Sequence, residues 1–303
     1  MTTAPKATPP SAVRLYREMD QATLERQYNA RASVPSFEDE MKACDQESAK
    51  VQQQAHDVET VVYDPVSGEK LDLYGAAPGR PVFLWIHGGY WRVGSRHDNA
   101  YAAGGLLAHD VAVAVMDYTL APTASLDEMV RQVRAAVTWL HRYGADRGLL
   151  TDRIHVGGSS AGGHLVGMLL AKEWHTEFGM DHQPIGVALA LSGLYELEPL
   201  PHTQVNQWMH FTPEVIAKNS PINLIPTQSQ AHLIASVGGY ETDEFRRQTE
   251  AYVQRWQQAG NRLDIVEMPT HNHFNIARSM SEPQGKLVLA ILQALKSVPT
   301  PKA

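Results

Sequence analysis

Short apolar runs alternate with amphipathic stretches along most of the chain, from residue 58 onwards. The runs are rich in β-branched and aromatic residues, as strands are. They are Val58–Tyr63, Leu71–Tyr74, Val82–Ile86, Val111–Val115, Ile154–Val156, Ile185–Leu191, His232–Val237 and Leu263–Val266. Several are apolar without interruption, which is typical of strands that are buried on both faces of a parallel sheet.

The amphipathic stretches between these runs predict helices. Ser125–Glu128 is a capping-box pattern, and apolar residues recur behind it at the spacing of one helix face. Residues 164–174, 244–259 and 287–295 form further helical segments. The alternation predicts one α/β domain, with a doubly wound, mostly parallel sheet of about eight strands and helices on both of its faces.

Two regions depart from this alternation. Residues 1–57 are polar and helix-favouring, with a frayed tail expected over residues 1–10 and Ser36 as the cap of a following helix. We expect surface helices packed on the main domain, with helices that wall a site as the alternative. Residues 195–226 contain five prolines, and an insertion of this length is usually a lid or a binding loop. The main α/β domain is predicted over residues 58–303.

Composition narrows the class of protein. Apolar residues make up 43% of the 303 residues, which is enough to bury a sizeable core. The net charge of −7 argues against a nucleic-acid-binding protein, which needs a basic face. The single cysteine, Cys44, excludes an intramolecular disulfide and a cysteine-based zinc site. No run approaches the roughly 18 apolar residues of a membrane span, and the N-terminus lacks the apolar core of a signal peptide, so we expect a cytoplasmic protein.

The strongest chemical signal is the pentapeptide GSSAG at residues 158–162. It lies between a predicted strand and a predicted helix, which is the setting of a nucleophile elbow that presents a serine hydroxyl at the carboxyl end of a sheet. A dinucleotide-binding loop would need a glycine where Ser159 stands, and a phosphate loop would need Lys followed by Ser or Thr after the last glycine. The pattern therefore predicts Ser160 as a nucleophile.

A second motif, HGGYW at residues 87–91, directly follows the third predicted strand. An enzyme that transfers acyl groups needs preorganised N–H groups to stabilise an oxyanion, and a Gly-Gly turn leaves main-chain N–H groups uncovered. We expect the oxyanion hole to be formed by Gly88, Gly89 and Tyr90, together with the N–H of Ala161 after the nucleophile.

Together these two motifs resemble those of the kynurenine formamidase (arylformamidase) group of α/β-hydrolases. The similarity runs over most of residues 58–297 and includes MDY at 116–118, SGLY at 192–195 and GYETDEFRRQ at 239–248. The related hormone-sensitive-lipase-like esterases carry a third glycine where this chain has Tyr90. The resemblance implies an α/β-hydrolase fold in which the main domain, residues 58–303, is the catalytic domain. It also implies a Ser–His–acid triad, no cofactor and no metal.

In this fold the chain order of the triad is nucleophile, acid, histidine. Three carboxylates follow the seventh predicted strand: Glu241, Asp243 and Glu244. Two histidines follow the eighth: His271 and His273. Glu244 is better explained as a first-turn residue of the next helix. The resemblance points to Glu241, where kynurenine formamidases commonly carry Asp, and its Asn-His-Phe pattern points to His273. Asp243 and His271 remain the alternatives.

The resemblance implies hydrolysis of an aryl formamide such as N-formylkynurenine, in which Ser160 attacks, His273 accepts its proton and Glu241 orients the imidazole. Aromatic residues beside the motifs and in the insertion suit an aryl substrate. The candidate substrate-binding residues are Trp91, Tyr195, Trp208 and Phe274. We expect a small-molecule substrate and no nucleic-acid or membrane partner, and we allow for a homodimer. The alternatives are a carboxylesterase or amidase that acts on small esters, carbamates or amides, and a catalytically silent binding module.

Overall fold

The computed structural model describes residues 13–297, so the tail expected over residues 1–10 lies outside the described residues. A single sheet forms its centre. The strands are β1 (Val58–Asp64), β2 (Glu69–Tyr74), β3 (Pro81–Ile86), β4 (Ala112–Met116), β5 (Leu150–Ser159), β6 (Ile185–Leu191), β7 (His232–Ser236) and β8 (Leu263–Ile265). Their order in the sheet is β1-β2-β4-β3-β5-β6-β7-β8.

The first two strands and the remaining strands pair differently. β1 pairs with β2, and β2 with β4, in antiparallel register, whereas every neighbouring pair from β4 to β8 is parallel. All residues of β4, β6 and β7 are buried, as expected of strands covered on both faces. The prediction of a mostly parallel sheet of about eight strands is therefore confirmed.

Helices fill the connections between strands. They are α1 (Gln21–Gln27), α2 (Phe37–Gln54), α3 (Tyr101–Leu107), α4 (Leu126–Tyr143), α5 (Ala161–Leu170), α6 (Trp174–Glu177), α7 (Asn206–Met209), α8 (Pro213–Asn219), α9 (Asp243–Gln258), α10 (Asn275–Arg278) and α11 (Lys286–Leu295). Ser36 and Ser125 cap α2 and α4, as predicted, by accepting hydrogen bonds from the third backbone N–H of each helix. The predicted helix at residues 164–174 differs: α5 begins directly after Ser160 and ends at Leu170.

Apolar side chains pack on both faces of the sheet. On one face, α4, α5 and α9 contribute to a cluster that includes Val133, Leu165 and Trp256. On the other face, α3 and α11 contribute to a second cluster that includes Leu106 and Ile291. Apolar side chains are therefore buried on both faces of the sheet, which confirms the prediction of helices on both faces. The hydrophobic core lies between the sheet and the helices that cover it.

The carboxyl ends of β3, β5, β6, β7 and β8 point to the same edge of the sheet because these strands are parallel. The segments that follow them contain the HGGYW motif, the serine elbow, the SGLY segment, the three candidate carboxylates at 241, 243 and 244 and the two candidate histidines. Ligands bind outside the carboxyl ends of strands in open α/β sheets. Motifs that are far apart in the sequence are thus brought to one edge.

Candidate active site

Ser160 stands on a sharp turn between β5 and α5. Its backbone has φ +58° and ψ −117°, a conformation that L-residues rarely adopt. Its N–H donates to the carbonyl of Leu191 at 2.9 Å. The flanking glycines are needed for space: a Cβ on Gly158 would lie 2.6 Å from the carbonyl oxygen of Gly162, and one on Gly162 would collide with that of Ile86. The turn therefore has the tight geometry of a nucleophile elbow.

His273 and Glu241 are joined by a hydrogen bond on the same side of the sheet. His273 Nδ1 lies 2.5 Å from Glu241 Oε2, and both side chains are buried. The other carboxylate oxygen, Oε1, accepts from Ser192 Oγ at 2.5 Å and from the Gly238 N–H at 2.7 Å. Three donors therefore fix the carboxylate. Because Nδ1 of the imidazole faces it, Nε2 is the ring nitrogen that can accept a proton.

The alternative acids lie elsewhere. The side chain of Asp243 is 76% exposed and pairs with Arg246 at the start of α9. Glu244 accepts from Tyr28 Oη at 2.8 Å and pairs with Arg247. Of the three carboxylates in this segment, Glu241 is the one that the structure brings to His273.

The HGGYW loop lies directly against Ser160. A Cβ on Gly88 would be 2.7 Å from the carbonyl oxygen of Ser159 and 3.2 Å from Ser160 Cβ. Within residues 13–297, the N–H groups of Gly88, Gly89, Tyr90 and Ala161 donate to no protein acceptor. The expected oxyanion donors are therefore uncommitted and adjacent to the serine.

Burial disfavours the charged form of two further histidines close to the serine. Burial lowers the pKa of His87, whose ring stacks on Tyr118 at 4.4 Å and whose Nδ1 lies 2.8 Å from the Gly88 carbonyl oxygen. Burial lowers the pKa of His164 to about 4, and its Nε2 lies 2.8 Å from the Asn219 carbonyl oxygen. Both imidazoles pack the loops around the site.

A cavity of about 750 Å³ lies in front of the serine, and both Ser160 and His273 line it. Trp208 from the insertion and Phe274, two of the candidate substrate-binding residues, also line it. Residues of the N-terminal extension form another wall: Tyr28, Arg31, Phe37, Met41 and Cys44. The helices of the extension therefore wall the site, which corrects the expectation that they are surface helices only.

Two of the candidate substrate-binding residues do not line the cavity. Trp91 is fully buried and packs edge-on against His164 at 5.1 Å and Phe211 at 6.1 Å. Tyr195 is fully buried and stacks on Tyr252 at 4.1 Å. Both rings fill the core behind the site, so we revise their role from substrate contact to packing.

Sequence reasoning missed several residues that surround the site. Ser192, in the SGLY segment, donates to Glu241, and its position after a buried strand was the one available signal. Asn272 Nδ2 donates to Glu40 Oε1 of α2 at 2.6 Å, beside His273. Residues 40 and 272 are far apart along the chain, and no sequence pattern links them.

Between residues 13 and 297, the structure places no three His, Cys, Asp or Glu side chains where they could jointly hold a metal ion. In the same range, no helix has the length and apolar character needed to span a membrane.

Known proteins resemble this chain over much of its length. The BD-FAE family model matches residues 71–244, which is more than half of the chain. A kynurenine formamidase of Danio rerio is 30% identical over 243 residues, covering 78% of this chain and 80% of that protein. One of Salmo salar is 29% identical over 295 residues, covering 92% and 98%. The crystal structure of a putative thioesterase from Silicibacter sp. superposes with a TM-score of 0.76 at 24% identity, covering 89% of this chain and 98% of that one.

Proposed function

This chain belongs to the BD-FAE family and is a hydrolase with the α/β-hydrolase fold, and from that premise we propose that it is a serine hydrolase of aryl formamides such as N-formylkynurenine. The observation that carries the proposal is the 2.5 Å hydrogen bond between Glu241 and His273, at a cavity that Ser160 also lines. The similarity to kynurenine formamidases directs the choice of substrate.

The first half of the reaction transfers the formyl group to the enzyme. His273 Nε2 takes the proton of Ser160 Oγ while Oγ attacks the formyl carbon, and Glu241 stabilises the imidazolium that forms. The N–H groups of the HGGYW loop and of Ala161 bind the oxyanion. When the tetrahedral intermediate collapses, the C–N bond breaks and the aryl amine leaves with the proton from His273.

The second half releases formate. A water molecule gives a proton to His273 Nε2 and attacks the formyl ester on Ser160, so that a second oxyanion forms in the same hole. Collapse of this intermediate breaks the ester bond and returns the proton to Ser160 Oγ. No redox change occurs, and the enzyme is restored.

The cavity suits an aryl substrate. Its volume of about 750 Å³ falls within the usual range of roughly 300–1,000 Å³ for small-molecule sites. Phe274 follows the proposed base, and its ring contacts that of Phe37 edge-on at 5.2 Å. Trp208 and Tyr101 add further aromatic surface. Flat aromatic walls favour an aryl group by stacking and by burial of apolar surface.

Substitution of the proposed nucleophile is the direct test. We expect Ser160→Ala to lower kcat for N-formylkynurenine by at least about 10³-fold, because the attacking oxygen is removed. A fluorophosphonate probe should label the wild type and the neighbouring control Ser159→Ala, but not Ser160→Ala. Turnover or labelling that survives in Ser160→Ala would show that the nucleophile is another residue.

The same residues could hydrolyse an ester, so the substrate class needs its own measurement. We expect kcat/KM to be higher for N-formylkynurenine than for p-nitrophenyl acetate. The reverse order, with both activities lost in Ser160→Ala, would make the chain an esterase at this site.

A further inference from the structure

Arg31 and Arg92 differ from the other arginines in residues 13–297. Each of the others forms an ion pair or donates a hydrogen bond to the described chain. The guanidinium groups of Arg31 and Arg92 do neither within this part of the chain. Unpaired arginines are ordinary on an open surface, but these two line the cavity that contains Ser160 and His273.

Each of the two guanidinium groups is stacked on an aromatic ring of the same cavity. Arg31 Cζ lies 4.5 Å from the centre of the Phe37 ring, and Arg92 Cζ lies 4.7 Å from the centre of the Trp208 ring. Stacking covers one face of the planar group and restricts its motion, while the N–H groups along its edge stay available. Such an edge is suited to binding a carboxylate through two parallel hydrogen bonds.

The supporting rings connect both arginines to the proposed catalytic groups. Phe37, under Arg31, packs against Phe274, which directly follows His273. Trp208, under Arg92, donates its Nε1–H to the Tyr90 carbonyl oxygen at 3.0 Å, so it is attached to the HGGYW loop. Both arginines therefore lie in the wall of the cavity that would receive the remaining atoms of a substrate whose formyl group reaches Ser160.

Carboxylates line this cavity as well. Glu25, Asp45 and Asp98 all belong to its wall. A ligand that is only negatively charged would be repelled by these carboxylates. A neutral ligand would pair with neither the carboxylates nor the two arginines. A ligand that carries a carboxylate next to an ammonium group matches both.

We propose that Arg31 and Arg92 bind the substrate carboxylate and thereby select aryl formamides that carry an amino-acid head group over neutral aryl formamides. This inference rests on the proposed formamidase activity, because it concerns the part of the substrate that does not react. It assigns specificity, and not a chemical step, to the N-terminal extension and to the residue that follows the HGGYW motif.

Two substrates separate specificity from chemistry. N-formylkynurenine carries the amino-acid head group, and 2-formamidoacetophenone has the same ortho-acyl aryl formamide without it. The measured quantity is the ratio of kcat/KM for the first to kcat/KM for the second. We expect Arg31→Gln and Arg92→Gln to lower this ratio, and the double variant to lower it by about 10- to 100-fold, the usual effect of losing a charge-assisted hydrogen bond.

The matched control is Arg26→Gln on α1. Arg26 does not line the cavity and donates to the Ala22 carbonyl oxygen and to Thr23 Oγ1. Its ratio should equal that of the wild type. Because Arg31 and Arg92 are both exposed, the thermal midpoints of their variants should stay close to that of the wild type.

The outcomes are distinguishable. A ratio that is unchanged in the double variant, with N-formylkynurenine still hydrolysed by the wild type, overturns the carboxylate site and leaves the formamidase activity intact. A wild-type enzyme that hydrolyses neither formamide overturns both. A lower ratio in the arginine variants alone supports the site.

Discussion

Replacement of Glu241 by Gln tests the proposal that its hydrogen bond to His273 orients the imidazole. Three donors converge on the two oxygens of this buried carboxylate: His273 Nδ1, Ser192 Oγ and the Gly238 N–H. Gln has a similar shape but only one oxygen. If that oxygen accepts from Ser192 and Gly238, the amide NH₂ faces His273 and donates to Nδ1. The imidazole must then carry its proton on Nε2, the nitrogen that has to be free to take the proton of Ser160.

The other orientation of the Gln side chain is also unfavourable. It preserves the bond to His273 but turns the amide NH₂ towards the Gly238 N–H and leaves buried donors unpaired, at a cost of about 1–3 kcal/mol. We therefore expect Glu241→Gln to lower kcat by about 10³–10⁴-fold, which corresponds to about 4–5.5 kcal/mol of transition-state stabilisation.

Asp243→Asn is the matched control. Its side chain is exposed, and its pair with Arg246 is a surface ion pair of at most about 1 kcal/mol. We expect kcat of Asp243→Asn to stay within about 2-fold of the wild type. The assay is steady-state hydrolysis of N-formylkynurenine, with thermal unfolding followed by circular dichroism to confirm that both variants fold.

One pattern of results would refute this reasoning. If folded Glu241→Gln keeps more than about a tenth of the wild-type kcat while Asp243→Asn is inactive, Glu241 does not orient the base. The acid would then have to reach His273 by a rearrangement of the segment before α9 that the structure does not show.

The remaining predictions concern the packing around the site. Glu40→Ala removes the acceptor of the Asn272 side chain, and that side chain holds the turn that carries His273. We therefore expect kcat/KM to fall by about 3- to 10-fold in the same assay. Glu38 is an exposed residue of the same helix, so Glu38→Ala should have no effect, and equal losses in both variants would contradict the coupling. His164 has its pKa lowered to about 4 by burial, so the unfolded state binds more protons and the free energy of unfolding should decrease as the pH falls from about 6.5 towards 4. Urea unfolding between pH 7 and pH 4 should show a smaller decrease in His164→Gln than in the wild type, and identical slopes would contradict this.

The strands themselves and the turn that carries Ser160 follow from local sequence. Continuous apolar runs such as Ile185–Leu191 can be satisfied only by burial on both faces, which leads to a parallel sheet. GSSAG after a strand requires the tight turn that φ +58° at Ser160 confirms, because only glycine fits at both flanking positions. These features depend on neighbours within a few residues, so the sequence alone was enough to predict them.

Long-range contacts decided the rest. Glu241 and Asp243 have the same chemistry and lie two residues apart, and only the path of the chain after β7 turns the first towards His273 and the second towards solvent. Trp91 lies beside a predicted site motif, yet its ring is buried behind the cavity, because packing against α5 determines where a large side chain fits.

The N-terminal extension shows the same limit most clearly. Its polar, loosely helical sequence indicates helices but contains no information about which surface they cover. The contact between Glu40 and Asn272 joins residues more than 200 positions apart. Arg31 lines the cavity only because distant loops meet at this edge of the sheet. Local patterns thus determined the strands, the helices and the serine elbow. The cavity, its charges and the contact between Glu241 and His273 were decided by tertiary packing, since they arise only when distant segments meet.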